Sequence, residues 1–221
     1  PPAGGGGNVT FGTVNATAYQ IGSANALSFP TFESGTAGDT IAIGRGALGG
    51  TPPASAAYQA VAIGALTMSG NGITTAAIRN TAVGYNALPA VTSGESNTAI
   101  GQGALAAVTS GSNNIGIGRG SLATLATTGS MIAIGSAAMA SATGTASVAM
   151  GTSAASFSTG GSVTAIGHGS GTFISSGAGQ TALGFNLMLG ITGTRITGIN
   201  NTALGQQAGL ALQGAAATNT L

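Results

Sequence analysis

Residues 80–88 read NTAVGYNAL, and residues 97–105 read NTAIGQGAL. The second copy begins 17 positions after the first, so the chain repeats itself. Self-similarity at a short, nearly fixed period is typical of proteins built from stacked units that bury a shared core. Ten such units carry a glycine at the same place, at intervals of 16 to 21 residues. These repeat glycines are Gly44, Gly64, Gly84, Gly101, Gly118, Gly135, Gly151, Gly167, Gly184 and Gly205.

The three residues before each repeat glycine follow one pattern. The first is β-branched in all ten units, the second is alanine in nine and Gly116 in the other, and the third is a larger apolar residue. β-branched residues favour an extended backbone, and alternate side chains of a strand point to opposite faces. We therefore predict a short strand whose first and third side chains face a narrow interior. The alanines would then form a smooth strip on the opposite face.

A second segment follows each glycine and often ends in Ala-Leu, as at 87–88 and 104–105. The glycine itself permits a sharp bend with positive φ. The rest of the unit is rich in Gly, Ser, Thr and Asn, which is the composition of turns. The asparagines four positions before the glycine suit a left-handed turn conformation. These are Asn80, Asn97, Asn114 and Asn201.

One unit cannot bury its own large apolar side chains, but a stack of units gives a continuous core. The period is too short for helix pairs, and the patterns of leucine-rich and calcium-binding nonapeptide repeats are missing. The remaining fold class is all-β: a parallel β-roll or β-solenoid with one coil per unit and about ten coils. Burial of a large side chain stabilises the fold by about 1.5–3 kcal/mol, and the few such side chains in a coil only just offset the conformational entropy lost when the coil is ordered. We therefore expect an oligomer, most simply three rolls that meet along the alanine strip.

The composition excludes several classes of function. The 221 residues include four arginines, no lysine, three acids, one histidine and no cysteine. Four arginines cannot form a basic groove, so we expect no nucleic-acid partner. No stretch holds the roughly 18 strongly apolar residues of a membrane-spanning helix, so we expect no membrane insertion. Low charge and a mean hydropathy of +0.42 are also unlike a disordered chain.

The candidate catalytic groups are few. Glu33 and Asp39 precede or open the first coil, and Glu95 lies in a turn-rich segment. Solvated loop charges are therefore a simpler interpretation than a paired-carboxylate hydrolase. His168 has no nucleophile motif or neighbouring acid in sequence, and its variable place in the repeat favours a solvent-facing side chain over a metal ligand on a trimer axis. We predict no enzyme activity, no metal and no cofactor.

The position directly after each repeat glycine is the most variable of the unit, as expected for side chains that face solvent. Aromatic rings there would stack on sugars, and arginine and glutamine would bind hydroxyl groups. A host cell-surface glycan or protein is the expected partner. The alternative is that these residues bind nothing and vary only because no other part of the protein packs against them. The inserts at 49–60, 69–79 and 190–200 are alternative contact sites. The candidate receptor-binding residues are Arg45, Tyr85, Gln102, Arg119, His168, Phe185 and Gln206.

The run of NTA[IV]G-x-x-AL units resembles the head repeats of trimeric autotransporter adhesins of the YadA type. Similar repeats occur in the tail fibres of bacteriophages. The resemblance covers about residues 39–210 and implies a left-handed parallel β-roll that assembles as a homotrimer. The opening PPAGGGGNVTFGTVNATAYQIGS resembles glycine-rich segments that precede fibre modules in phage tail proteins. The loose repeat interval also favours the phage relative over the adhesin head. The implied function is a structural and adhesive fibre segment for host attachment, with no enzyme activity.

We expect three regions. Residues 1–38 form a glycine-rich attachment segment, 39–212 the repeat β-roll, and 213–221 a tail or a connection to a further module. The chain begins Pro-Pro without an initiator Met, so we expect it to be part of a longer protein. Its expected partners are two further copies of itself, and other tail or virion proteins through the N-terminal segment. The expected location is the virion, or alternatively the bacterial surface.

Two other functions remain open. Alanine- and threonine-rich coils also occur in ice-binding β-solenoids, but threonine fills the first strand position in only five of ten units, and we assign that position to the interior. A tailspike-type glycan depolymerase would need acids shared between chains, and the scarcity of carboxylates makes it the weakest alternative.

Overall fold

The structure is a computed structural model of the 221-residue chain. It describes residues 19–21, 24–27, 41–49, 59–70, 77–124, 126–174, 178–187 and 198–208. The predicted functions of residues 1–18 and 213–221 therefore lie outside the described residues, as do Glu33, Asp39 and most of the three longer inserts. The strands are β1 (Tyr19–Ile21), β2 (Ala24–Leu27), β3 (Ile41–Ile43), β4 (Val61–Ile63), β5 (Thr81–Val83), β6 (Thr98–Ile100), β7 (Ile115–Ile117), β8 (Ile132–Ile134), β9 (Val148–Met150), β10 (Thr164–Ile166), β11 (Thr181–Leu183) and β12 (Thr202–Leu204).

The ten strands from β3 to β12 form one parallel sheet, in which each strand pairs with the next along the chain. The register is constant, so every central residue lies beside the central residue of the neighbouring strand, as Ala99 lies beside Gly116. The chain winds as a β-solenoid of about eight turns, and the described residues contain no helix. The all-β class and the stacking of repeats are confirmed. We call each strand with its following glycine a rung.

The N-terminal region contains an element that the sequence did not predict. Strands β1 and β2 pair antiparallel, with Gln20 opposite Asn25 and Ile21 opposite Ala24. The two strands are separated by two residues, which is the connection length of a tight hairpin. Part of the segment predicted as a linker is therefore β-structure.

The alanine strip lies inside the solenoid, so the predicted orientation of the strands is wrong. The central residue of every rung is buried, with Ala62, Ala99 and Ala133 each at 0% exposure. The first and third residues are only partly covered or exposed, so the pattern across each strand is out–in–out. Strand alternation was predicted correctly, but the face assigned to the core was the opposite one. The alanines consequently cannot be the contact surface between copies.

The reason is the width of the interior. The fourth residue after most repeat glycines is a leucine or methionine, and Leu88, Leu105 and Met139 are all fully buried. These side chains fill the space opposite the strands, so only a small side chain fits at the central strand position. At Gly116 even a Cβ atom would meet the Cδ1 atom of Leu105. The predicted Ala-Leu segment therefore supplies the large part of the core, and the strand supplies the small part.

The repeat glycines adopt the positive φ that the sequence suggested. Gly135 has φ of 136°, and a Cβ atom on it would lie 2.5 Å from the carbonyl oxygen of Gly151 in the next rung. Both the backbone angle and the close stacking of successive bends thus require glycine. The chain also places non-glycine residues in the left-handed region in the segment that follows, such as Leu88 at φ of 49° and Leu105 at 51°.

The asparagines before the strands have a different role from the one predicted. Asn97 and Asn114 are buried, and the left-handed residue is the one before each of them, as at Ser96 with φ of 55°. The backbone N–H of Asn97 donates to Oδ1 of Asn80 at 2.9 Å, and the backbone N–H of Asn114 donates to Oδ1 of Asn97 at 3.0 Å. We call Asn80, Asn97 and Asn114 the asparagine ladder. It joins successive rungs through buried hydrogen bonds, which explains why these positions need a side-chain amide.

Candidate functional site

The outward side chains of the strands form an apolar face on the solenoid. Their exposure is 38% for Ile100, 40% for Met150 and 38% for Ile166 within the sheet. Exposure rises at the two ends of the sheet, to 50% for Ile41 and 68% for Leu204, because among the described strands each end strand is paired on one side only. We call this surface the outer face. Its members are Ile41, Ile43, Val61, Ile63, Thr81, Val83, Thr98, Ile100, Ile115, Ile117, Ile132, Ile134, Val148, Met150, Thr164, Ile166, Thr181, Leu183, Thr202 and Leu204.

The size of the outer face follows from strand geometry. Ten parallel strands at a spacing of about 4.8 Å extend over about 43 Å, and three residues per strand give a width of about 10 Å. The projected area is therefore about 430 Å², and the corrugation of side chains makes the accessible area larger. A patch of this size is comparable to the largest apolar patch of a typical monomeric protein, and such patches usually mark an interaction site.

A second surface borders the outer face, beyond the glycine bends. It consists of the residues that directly follow the repeat glycines, and eight of its ten members are exposed. Tyr85 is 54% exposed and Phe185 is 47% exposed. We call this surface the post-glycine row. Its members are Arg45, Ala65, Tyr85, Gln102, Arg119, Ser136, Thr152, His168, Phe185 and Gln206.

A continuous backbone ladder holds the post-glycine row straight. The carbonyl oxygen of each member accepts a hydrogen bond from a backbone N–H of the next rung. The bond is 3.0 Å from Leu66 to Arg45 and 3.0 Å from Asn86 to Ala65. The same bond recurs as far as Phe185, which accepts from the N–H of Gln207 at 3.1 Å. Successive side chains of the row are therefore one strand spacing apart, about 4.8 Å.

Adjacent aromatic members of the row cover each other. The rings of His168 and Phe185 stack with their centroids 5.3 Å apart and their planes 19° apart. Each ring thus has one of its two faces covered by its neighbour. Stacking on a sugar requires a free ring face. The His168–Phe185 pair is therefore less suited to sugar stacking than the sequence analysis supposed.

The charges of the row are unpaired within the described residues. The one ion pair among them joins Arg79 Nη2 to Glu95 Oε2 at 2.7 Å, and both side chains are largely exposed. That pair neutralises Glu95 and lies outside the row. Arg45 and Arg119 are exposed and have no acidic partner in the described ranges. Among the described residues, the row therefore carries two positive charges with no acidic partner.

One surface pair escaped the sequence analysis. Phe157 and Phe173 stack with centroids 5.3 Å apart and nearly parallel planes, and Phe157 is 42% exposed. Each lies six positions after a repeat glycine, so they occupy equivalent places in neighbouring rungs. That shared offset was the signal that could have revealed the pair.

The described residues offer little for catalysis or metal binding. Glu95 is the one acid among them, and no group of three or more metal-ligating side chains occurs in the described ranges. No helix in the described part of the chain is long and apolar enough to cross a membrane. The chain matches no protein-family model, no curated protein and no solved structure.

Proposed function

We propose that the chain is a segment of a homotrimeric adhesive fibre, in which three left-handed β-solenoids pack side by side. The observation that supports this proposal is the outer face, because ten rungs in succession direct isoleucine, valine, leucine or methionine at their third strand position out of the chain. Such a face is stabilised when it is covered, at about 25 cal/mol per Å² of apolar area removed from water.

The contact between copies uses the outer face in place of the alanine strip. Each solenoid presents two rows of side chains, one from the first and one from the third strand position. In a parallel trimer one row contacts each neighbour, and rungs at the same level meet around a common axis. A standard interface buries about 800 Å² per partner. The outer face supplies a large part of that area, and side chains at its border opposite the post-glycine row supply the rest.

Sedimentation equilibrium of the purified chain tests this assembly. We expect a trimer in the wild type. Ile134→Glu places a charge in the middle of the outer face and should dissociate the trimer, because an unpaired carboxylate in an apolar interface is costly. Thr143→Glu adds the same charge at an exposed position outside the face and should leave the trimer intact. A wild-type monomer at micromolar concentrations would refute the proposal.

The particle that carries the fibre is a bacteriophage or phage-like virion in this proposal, and the head of a trimeric autotransporter adhesin is the alternative. The N-terminal segment, residues 1–38, would join other tail proteins, and the rod would contact a host-surface glycan or protein without enzymatic cleavage. Immunogold labelling with an antibody against the chain separates the two locations. Labelled tail tips support the virion, and labelled bacterial envelopes support the adhesin.

Ice binding is the second candidate, and one observation favours it more than the sequence analysis did. Thr81, Thr98 and Thr164 lie on the outer face and not in the interior, so threonines do form part of a flat external array. The row is mixed, however, since isoleucine and valine share the position. A trimer would also cover it. Thermal hysteresis of a solution that sediments as a monomer would establish ice binding, and we expect no hysteresis.

A further inference from the structure

Five neighbouring members of the post-glycine row combine two cations, one aromatic ring and one amide. In order along the rod they are Arg45, Ala65, Tyr85, Gln102 and Arg119, and all except Ala65 are exposed. The backbone ladder connects them rung by rung, with N–H···O distances of 2.9 to 3.0 Å. We call these five residues the cationic strip. Its chemistry selects a ligand more narrowly than the row as a whole.

The two ends of the strip are charged and lie at a fixed separation. Arg45 and Arg119 are four rung steps apart, which corresponds to about 19 Å at a strand spacing of about 4.8 Å. Neither guanidinium has an acidic partner in the described ranges, whereas Arg79 is held by Glu95 outside the strip. A ligand that satisfies both arginines must therefore be extended along the rod and carry negative groups at about this separation.

The middle of the strip has a gap beside an aromatic ring. Ala65 has no side chain beyond Cβ, and the rungs of Arg45 and Tyr85 on either side of it are two rung steps, about 10 Å, apart. A sugar ring placed between them would lie about 5 Å from each, close enough for its C–H groups to pack against the Tyr85 ring and for its hydroxyl groups to approach Arg45. By contrast, His168 and Phe185 occupy adjacent rungs and stack directly on each other, with their ring centroids 5.3 Å apart. The row therefore places no large side chain of its own between Tyr85 and Arg45.

We propose that the cationic strip binds an acidic polysaccharide that lies along the rod. The rise per sugar of an extended β-linked glycan is close to the spacing of the strands, so successive sugars follow successive rungs. Uronate groups four sugars apart reach Arg45 and Arg119, the sugar at the level of Ala65 lies in the gap beside Tyr85, and Gln102 bonds a hydroxyl group. This inference rests on the proposed fibre function and names the class of surface molecule that the fibre contacts.

Hyaluronan oligosaccharides, which carry a uronate on every second sugar, test the spacing. Two uronates four sugars apart require at least five sugars. We therefore expect the affinity for the trimer, measured by isothermal titration calorimetry, to rise steeply between the tetrasaccharide and the hexasaccharide. Carboxyl-reduced oligosaccharides of the same length should bind at least tenfold more weakly, and added salt should weaken the hexasaccharide because exposed charges are screened.

Matched variants locate the site. Arg45→Gln and Arg119→Gln should each weaken hexasaccharide binding about fivefold, the value of one exposed ion pair, and each should remove the advantage over the tetrasaccharide. Arg79→Gln removes the same charge outside the strip and should leave binding unchanged. Ala65→Tyr fills the gap and should weaken binding while both arginines remain. All variants should sediment as the wild type does, since they lie outside the outer face.

Each outcome decides the question. Equal binding of carboxyl-reduced oligosaccharides, an effect of Arg79→Gln equal to that of Arg45→Gln, or no dependence on length would overturn the proposal. Tighter binding of single-stranded DNA than of hyaluronan at the same salt concentration would overturn it in favour of a nucleic acid. A trimer that binds neither polymer refutes the inference but leaves the fibre proposal standing. A monomeric wild type refutes the fibre proposal itself.

Discussion

Replacement of Asn97 by alanine tests the asparagine ladder. The Asn97 side chain is fully buried and takes part in four hydrogen bonds. Its Nδ2 donates to Oδ1 of Asn80 at 3.1 Å and to the carbonyl oxygen of Gly111 at 2.9 Å. Its Oδ1 accepts from the backbone N–H and the Nδ2 of Asn114, at 3.0 and 3.1 Å. We expect a large loss of stability on truncation.

The magnitude follows from the groups that lose their last partner. Oδ1 of Asn80 keeps the bond from the backbone N–H at position 97, and Nδ2 of Asn114 keeps its bond to the carbonyl oxygen of Thr128. The backbone N–H of Asn114 and the carbonyl oxygen of Gly111 are left without a partner. A buried polar group without its hydrogen bond costs about 1–3 kcal/mol, so the two groups together should make Asn97→Ala cost about 2–6 kcal/mol.

Urea unfolding followed by far-ultraviolet circular dichroism, at matched protein concentration, measures this change. Asn113→Gly is the control, because Asn113 is exposed and its φ of 60° suits glycine, so removal of its side chain should cost less than about 0.5 kcal/mol. If Asn97→Ala unfolds within 0.5 kcal/mol of the control, the ladder contributes no stability and the reasoning is wrong.

Three further predictions concern the bends, the core and the surface. Gly135→Ala should lower the free energy of unfolding in urea by more than about 3 kcal/mol, because its Cβ would lie 2.5 Å from a carbonyl oxygen. Gly103 has φ of 63° and open space around it, so Gly103→Ala should lower the free energy of unfolding by only about 1 kcal/mol. Equal losses would contradict the close stacking of the bends. In a double-mutant cycle, Gly116→Ala should destabilise the wild type more than it destabilises the Leu105→Ala variant, because the new Cβ meets the Leu105 side chain. If the two substitutions lower the free energy of unfolding additively, the residues do not compete for space. Arg79→Gln should change the free energy of unfolding by less than about 1 kcal/mol, because its ion pair is exposed, and a larger loss would give that pair a structural role.

The repeat alone was sufficient to predict the ten strands of the parallel sheet, the bends and their stacking, but not the N-terminal pair β1 and β2. Each predicted strand lies at the place where the pattern puts it, because the β-branched residue, the alanine and the glycine each impose a local backbone preference. The face that packs inward could not be read from the same pattern. Ala99 is inside and Ile100 is outside because the Leu105 side chain already fills the interior. The inward face therefore depends on packing between two separate segments of a coil, which the local pattern of the strand does not reveal.

The roles of the asparagines were missed for a related reason. Asparagine is common both in left-handed turns and in buried side-chain ladders, so residue type alone does not distinguish the two. Ser96, at the position before Asn97, takes the left-handed conformation, although serine gives little signal for it. Exposure of the post-glycine row agrees with its variability in sequence. The gap at Ala65 became visible only when the backbone ladder fixed the neighbours of Tyr85.

The constant register between rungs has a consequence for how such a chain lengthens. In the centre of the solenoid, most hydrogen bonds between rungs span 15 to 18 positions, as a parallel ladder with a repeat of 17 requires, and the asparagine ladder joins residues 17 positions apart. A stretch of 17 residues that begins at any point of residues 84–118 therefore ends at the equivalent atom positions of the next rung. Tandem duplication or loss of such a stretch changes the length of the solenoid by one strand spacing, about 4.8 Å, and keeps the residues on each side of the junction in register with the rungs next to them.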